Sequence, residues 1–308
     1  MSSLHNTSHK LAIVIPTIGR YAELRRMLKS LAAQTRLPDE VIIVDEDLSS
    51  RSFARDFPQL NTRWIVLPGS ASSKRNAGIK AARPEITLIA FMDDDIVLEP
   101  QAIEAVMDSW ESAPKDLGGI CLNVLNDSPR PASWLKGRKI TSRLGLYGTK
   151  KGAVLRSGFQ VPFGHVSETI YVDWLPTYCV VYSRDVVEKY SFDEFFKGYS
   201  YLEDLDLSYR IGKKYRLAVV ADARFYHYPS EIGRPDSYLF GKKEVINRLY
   251  FVSKHTEFSR PLCWFSLFVR MLLSMFEGFR QLEASHLQRV AGNLAGLFLT
   301  VKGGLRPV

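Results

Sequence analysis

Four apolar runs of strand length punctuate the first 110 residues, at Leu11–Ile15, Val41–Val44, Arg63–Leu67 and Ile86–Met92. Segments with helical spacing lie between them. Tyr21–Ala33 carries Leu24, Met27, Leu28 and Leu31 on one face, and Ser72–Ala82 opens with serines suited to capping. Apolar strands that alternate with helices demand a parallel sheet covered on both faces. In such sheets ligands bind beyond the carboxyl ends of the strands. Pro16-Thr17, Asp45-Glu46 and Asp93-Asp94-Asp95 all fall at those ends.

The aspartate triplet is the most demanding of these. Three carboxylates at the end of a buried strand repel one another and are costly to desolvate, so they call for positive charge nearby. A divalent cation that takes oxygen ligands, Mg2+ or Mn2+, meets that need. Alternation along an extended chain puts Asp93 and Asp95 on the same side. The competing reading is a solvated acidic turn ahead of a helix beginning near Leu98-Glu99-Pro100.

Charge narrows the choice of partner. The chain has 308 residues, with 41 Lys plus Arg against 33 Asp plus Glu, for a formal charge of +8. The excess is concentrated. Residues 126–165 hold eight bases and one acid, residues 235–308 hold ten bases and five acids, and the remainder is slightly acidic. Nucleic-acid-binding domains carry a basic face throughout, so nucleic acid is not an expected partner. The segment 126–165 is rich in Gly, Pro, Ser and Arg without a sustained period, and reads as a functional lid or a solvated loop. Regular patterning resumes at Ser167–Tyr182, followed by a helix around Tyr201–Lys214 and a strand at Leu217–Ala221.

A family resemblance rests on an ordered set of motifs. These are Val14-Ile15-Pro16-Thr17, Asp45-Glu46, the run Gly69 to Gly78 with Arg75-Asn76, Asp93-Asp94-Asp95, Asp173-Trp174-Leu175, Phe192-Asp193-Glu194, and Tyr201 to Arg210, ending near His227. Together they resemble glycosyltransferase family 2 over roughly residues 10–230. The resemblance implies the GT-A fold: α/β, Rossmann-like, a mostly parallel sheet flanked by helices. It also implies an inverting transfer of a sugar from a UDP-, dTDP- or GDP-linked donor to a glycan, glycolipid or lipid-linked hydroxyl.

Residue by residue, the resemblance assigns Asp93 and Asp95 to a cation bridging the donor's phosphates, with Asp94 in the donor pocket. Pro16, Thr17, Asp45 and Glu46 match positions lining the base and ribose, and Arg75 and Asn76 match the family's Arg-Asn pair. The family's usual Asp-Asp-Gly-Ser is here Asp45-Glu46-Asp47-Leu48, which leaves open which carboxylate faces the nucleoside. Asp204 matches the catalytic base, with Glu203 positioning it. His227 matches a position that often completes the metal site, although packing among Phe225, Tyr226 and Tyr228 is an ordinary role for such a histidine. Trp174 matches an aromatic near the acceptor, and a core role suits it equally.

Residues 1–234 are thus expected to form the catalytic domain, with a donor half over 1–110 and an acceptor half over 111–234. Residues 235–308 are expected to be helical. In Leu262–Phe276 the polar positions Ser266, Arg270 and Ser274 make one thin stripe on an apolar helix. That pattern fits an anionic membrane surface or, equally, a second subunit in a homo-oligomer. No uninterrupted apolar run reaches the length of a membrane span, and the N-terminus lacks an apolar signal region. Cys121, Cys179 and Cys263 are scattered and fit reduced, buried thiols. A cytoplasmic enzyme, peripheral on the inner face of the membrane, is the expectation. A sugar-phosphate nucleotidyltransferase is disfavoured because Pro16 to Arg20 contains a single glycine, and a dehydrogenase because no G-x-G-x-x-G follows the first strand. A non-catalytic sugar-binding relative is the remaining alternative.

Overall fold

The computed structural model describes residues 9–127, 141 and 145–308. Nine strands form one sheet. They are β1 (Leu11–Pro16), β2 (Glu40–Asp45), β3 (Thr62–Val66), β4 (Leu88–Met92), β5 (Ile96–Leu98), β6 (Leu117–Val124), β7 (Ile170–Val172), β8 (Cys179–Ser183) and β9 (Arg216–His227). The order is β3-β2-β1-β4-β8-β6-β9-β5, with β7 also on β9. The first four strands of that order are mutually parallel, as the apolar runs require. From β8 onward the sheet is mixed: β8 is antiparallel to both β4 and β6, while β6 and β9 are parallel. The expectation of a mostly parallel sheet therefore holds for the N-terminal half only. Antiparallel neighbours leave no signature in a fully buried strand, because both faces are apolar either way.

Alternation divides the core. Leu11, Ile13 and Ile15 of β1 face α1 (Tyr21–Ala32) and α3 (Ala102–Glu111), whereas Ala12 and Val14 face α2 (Ala71–Ala81). Helix α2 lies unusually close to the sheet. A Cβ on Gly78 would stand 2.3 Å from Val14 Cγ1, so the glycine of the Arg75-Asn76-x-Gly78 motif is what lets the helix settle on β1. Ser70, ahead of the serines expected from the sequence, supplies the cap: its side chain accepts the Ser73 N–H.

Helices α4 (Arg184–Tyr190) and α5 (Glu203–Gly212) cover the same face as α2. So does α6 (Ser237–Ser253), which contributes Val245, Leu249, Phe251 and Val252 to that core. The C-terminal region thus begins inside the packed body. Beyond it, α7 (Arg260–Gln281) and α8 (Ala284–Gly303) complete the helical layer. Helices α6 and α8 touch backbone to backbone, because a Cβ on Gly292 would meet the Tyr238 carbonyl at 1.9 Å.

In the basic segment, residues 128–140 and 142–144, with Arg130, Lys136, Arg138, Lys139 and Arg143, lie outside the described residues. The described part is packed rather than lid-like. Phe159, Phe163 and Val166 are buried, and the Asn123 amide holds the Val166 carbonyl at 2.8 Å.

Gly78→Ala should lower the unfolding free energy by about 1–3 kcal/mol, as expected for overpacking, measured by urea titration. Val14→Ala in the same chain should recover part of that loss, since the two sites share one contact. An unchanged midpoint for the single variant would contradict the close approach.

Candidate active site

The strand ends named from sequence converge. Asp93 follows β4 directly, and its N–H donates to the Tyr178 carbonyl at 2.9 Å. Beyond it, Asp95 accepts from the Ser230 N–H at 3.0 Å and lies 3.2 Å from His227 Nε2, at the end of β9. The carboxylates of Asp93 and Asp95 and a ring nitrogen of His227 all lie within 4.8 Å of one another. Two oxygens and an imidazole nitrogen suit Mn2+ or Mg2+. Burial raises the Asp93 carboxyl above the ordinary range despite Arg75. Burial also opposes ionisation at Asp95, but the bonds from His227 and Ser230 outweigh it and hold that carboxyl low.

Asp94 has a different task. Its carboxylate accepts the Thr17 hydroxyl at 2.6 Å and pairs with Arg20 at 3.1 Å. Burial pushes it up to about 7. Thr17, at the end of β1, also offers its carbonyl to the buried Lys74 ammonium at 2.7 Å, and Lys74 reaches Glu46 at 3.5 Å. Asp45 is folded into its own loop, accepting the Ser50 hydroxyl and the Glu46 N–H. Glu46 is therefore the more accessible carboxylate after β2, with 38% of its side chain exposed.

Arg75 joins the two ends of the site. One guanidinium nitrogen lies 2.9 Å from Asp93 and another 2.8 Å from Glu203, and the residue is only 3% exposed. Asn76, beside it, spends both ends of its amide on the Phe192 backbone, with a further bond to Glu194. It fastens α2 to the segment before α5.

Glu203 and Asp204 open α5 after a turn with three left-handed residues, Gly198, Ser200 and Leu202, at φ 58°, 54° and 77°. A leucine in that region is strained by about 1 kcal/mol or more, a cost that clusters at functional sites. Asp204 Oδ1 accepts the Leu205 N–H. Burial, reinforced by Asp204, pushes Glu203 up to about 8 against the pull of Arg75, and burial raises Asp204 as well.

Trp174 packs into the core. It is 7% exposed, its Nε1 donates to the Val161 carbonyl, and its ring packs on Phe163. A cavity of about 760 Å3 opens beside His227, lined partly by Glu23, Arg26 and Asn126. Arg20, Lys74 and Ser230 were not singled out from sequence. Arg20 and Ser230 reach the triplet from segments far away in the chain. Lys74 was legible only as the neighbour of Arg75.

Comparison with known proteins follows this geometry. The family model described as Glycosyl transferase family 2 matches residues 12–167. Validoxylamine A glucosyltransferase of Streptomyces hygroscopicus subsp. limoneus is 32% identical over 137 residues, covering 41% of this chain and 30% of that protein. The chain spans about a third of the length of the first curated relatives it matches. Among solved structures, S. aureus TarS 1–349 in complex with UDP-GlcNAc aligns with a TM-score of 0.59 at 16% identity, over 94% of this chain and 81% of that one. The mannosyltransferase PcManGT from Pyrobaculum calidifontis, in complex with GDP-Man and Mn2+, aligns with a TM-score of 0.56 at 12% identity, over 95% and 88%. The fold is GT-A.

Two outcomes test the bridge. Arg75→Met should destabilise the chain by about 2–4 kcal/mol, because the buried Glu203 and the half-buried Asp93 lose their shared cation. Glu203 binds its proton more tightly folded than unfolded. Its contribution to stability is therefore full below pH 4.5 and lost as pH rises toward about 8. Across that window the wild-type chain should lose stability relative to Glu203→Gln, and parallel pH profiles would contradict this.

Proposed function

Because the chain belongs to glycosyl transferase family 2, we propose that it transfers a sugar, with inversion, from a nucleoside-diphosphate donor to a hydroxyl of a glycan, glycolipid or lipid-linked acceptor. The observation that carries this reading is the reach of Arg75. A single guanidinium ties Asp93, a member of the candidate cation site, to Glu203 at the start of α5. That contact supports reading the candidate cation site and Glu203-Asp204 as parts of one site.

Asp93, Asp95 and His227 would hold Mn2+ or Mg2+, which when bound neutralises charge developing on a diphosphate leaving group. The remaining work falls to the chain itself. Thr17, Lys74 and Glu46 frame the nucleoside end of the cleft, with Lys74 fixed by the Thr17 carbonyl. Asp204 takes the proton of the acceptor hydroxyl as it attacks the anomeric carbon. Inversion needs one such base, and the burial that raises its proton affinity suits the role. Glu203, held by Arg75, fixes the turn that aims Asp204. The likeness to structures that hold UDP-GlcNAc and GDP-Man with Mn2+ supports a nucleotide-sugar donor.

A thermal-shift series with UDP, dTDP and GDP, each with and without Mn2+, should give a metal-dependent rise with one of them. No shift with any nucleotide would remove the donor assignment. Asp204→Asn should lower transfer by about 100-fold or more while leaving that shift in place. Retained transfer would exclude Asp204 as the base.

A further inference from the structure

Helix α7 has its amphipathicity reversed. Its polar stripe faces inward: the Ser266 hydroxyl donates to the Gly145 carbonyl, and Arg270 donates to the Leu146 carbonyl while lying over the rings of Tyr147 and Phe159. Its outward stripe is Trp264, Phe265, Phe268, Leu272, Phe276 and Phe279, all exposed, the last two by 62% and 63%. Steps of one to four residues keep these on one side over about 22 Å of helix. Leu294 and Phe298 of α8 add exposed apolar surface beside it. A body this size rarely leaves so continuous an apolar stripe in water without a partner for it.

The surrounding charge selects the partner. Residues 260–308 hold six bases and two acids: Arg270 faces inward, Arg289 pairs with Glu244, Glu277 with Arg280 and Glu283 with His286, which leaves Arg260, Lys302 and Arg306 as the exposed unpaired charges. No acid stands on the outward stripe. Arg260 opens the helix, and exposed Arg156 lies next to it, its carbonyl accepting the Ser259 N–H. Exposed Lys302 and Arg306 close the other end of the chain. A second copy would bring one basic face against another, which is repulsive. Anionic lipid meets both the rings and the bases.

We propose that the outward face of α7 and α8 docks on an anionic lipid bilayer, with the aromatic stripe lying in the interface and the flanking bases against lipid headgroups. By length and composition α7 is also able to cross a membrane. Its inward bonds to residues 145 and 146 instead hold it along the protein body. The sequence pattern placed a polar stripe on this helix but not its direction, and the direction is what makes the opposite face a binding surface.

Flotation of the full chain with phosphatidylcholine vesicles containing phosphatidylglycerol tests this, and needs neither donor nor catalysis. The chain should float with those vesicles and much less with pure phosphatidylcholine. The triple variant Phe268→Ser, Phe276→Ser, Phe279→Ser should bind about tenfold more weakly or worse, with an unchanged melting temperature. Three results would overturn the proposal. They are no flotation with the anionic vesicles, equal flotation of the variant, or a lipid-free dimer seen by light scattering that the variant dissolves.

Discussion

A guanidinium sealed from water between two carboxylates is the constraint on which the rest of this structure turns. Arg75 reaches Asp93 and Glu203 from a helix that the Gly78–Val14 contact presses onto the sheet. Buried ion pairs are poor sources of stability, since desolvation consumes most of the attraction. What they supply is position. With the cation fixed, the end of β4 and the start of α5 are held a guanidinium's width apart, although 110 residues separate Asp93 from Glu203 in the chain. The orphaned Nε of Arg75 and the left-handed Leu202 belong to the same account: local costs accepted where geometry matters more than stability.

Around that bridge the three aspartates divide their labour. Asp95 is clamped by His227 and the Ser230 amide, Asp94 is turned to Thr17 and Arg20, and Asp93 is shared with Arg75. Three adjacent carboxylates would otherwise repel. Each instead points to a different element, so the triplet works as a junction between β1, α2 and the segment after β9.

The parallel half of the sheet was legible because apolar strands and amphipathic helices alternate with unmistakable periods. The α1 stripe and the convergence of the strand ends emerge as the sequence implies. The antiparallel insertion of β8 was not legible, since register leaves no trace in strands buried on both faces. Nor was Arg20, whose partners lie 74 and 75 residues away. Asn76 and Trp174 show the limit of motif reading. Their side chains are bonded within the protein, Asn76 to the Phe192 carbonyl and Trp174 to the Val161 carbonyl, and no spacing reveals such partners. Polarity along α7 was readable, but which way it faces depended on carbonyls at 145 and 146 that no periodicity reveals.

The ring of Phe159 is gripped from both sides, by Arg248 of α6 and Arg270 of α7, each 4.2 Å from its centre. Arg248 also contributes to the field at Asp204. One phenyl ring therefore links α6 and α7 through two cation–π contacts. A substitution that removes the Phe159 ring would cost both helices the same contact at once.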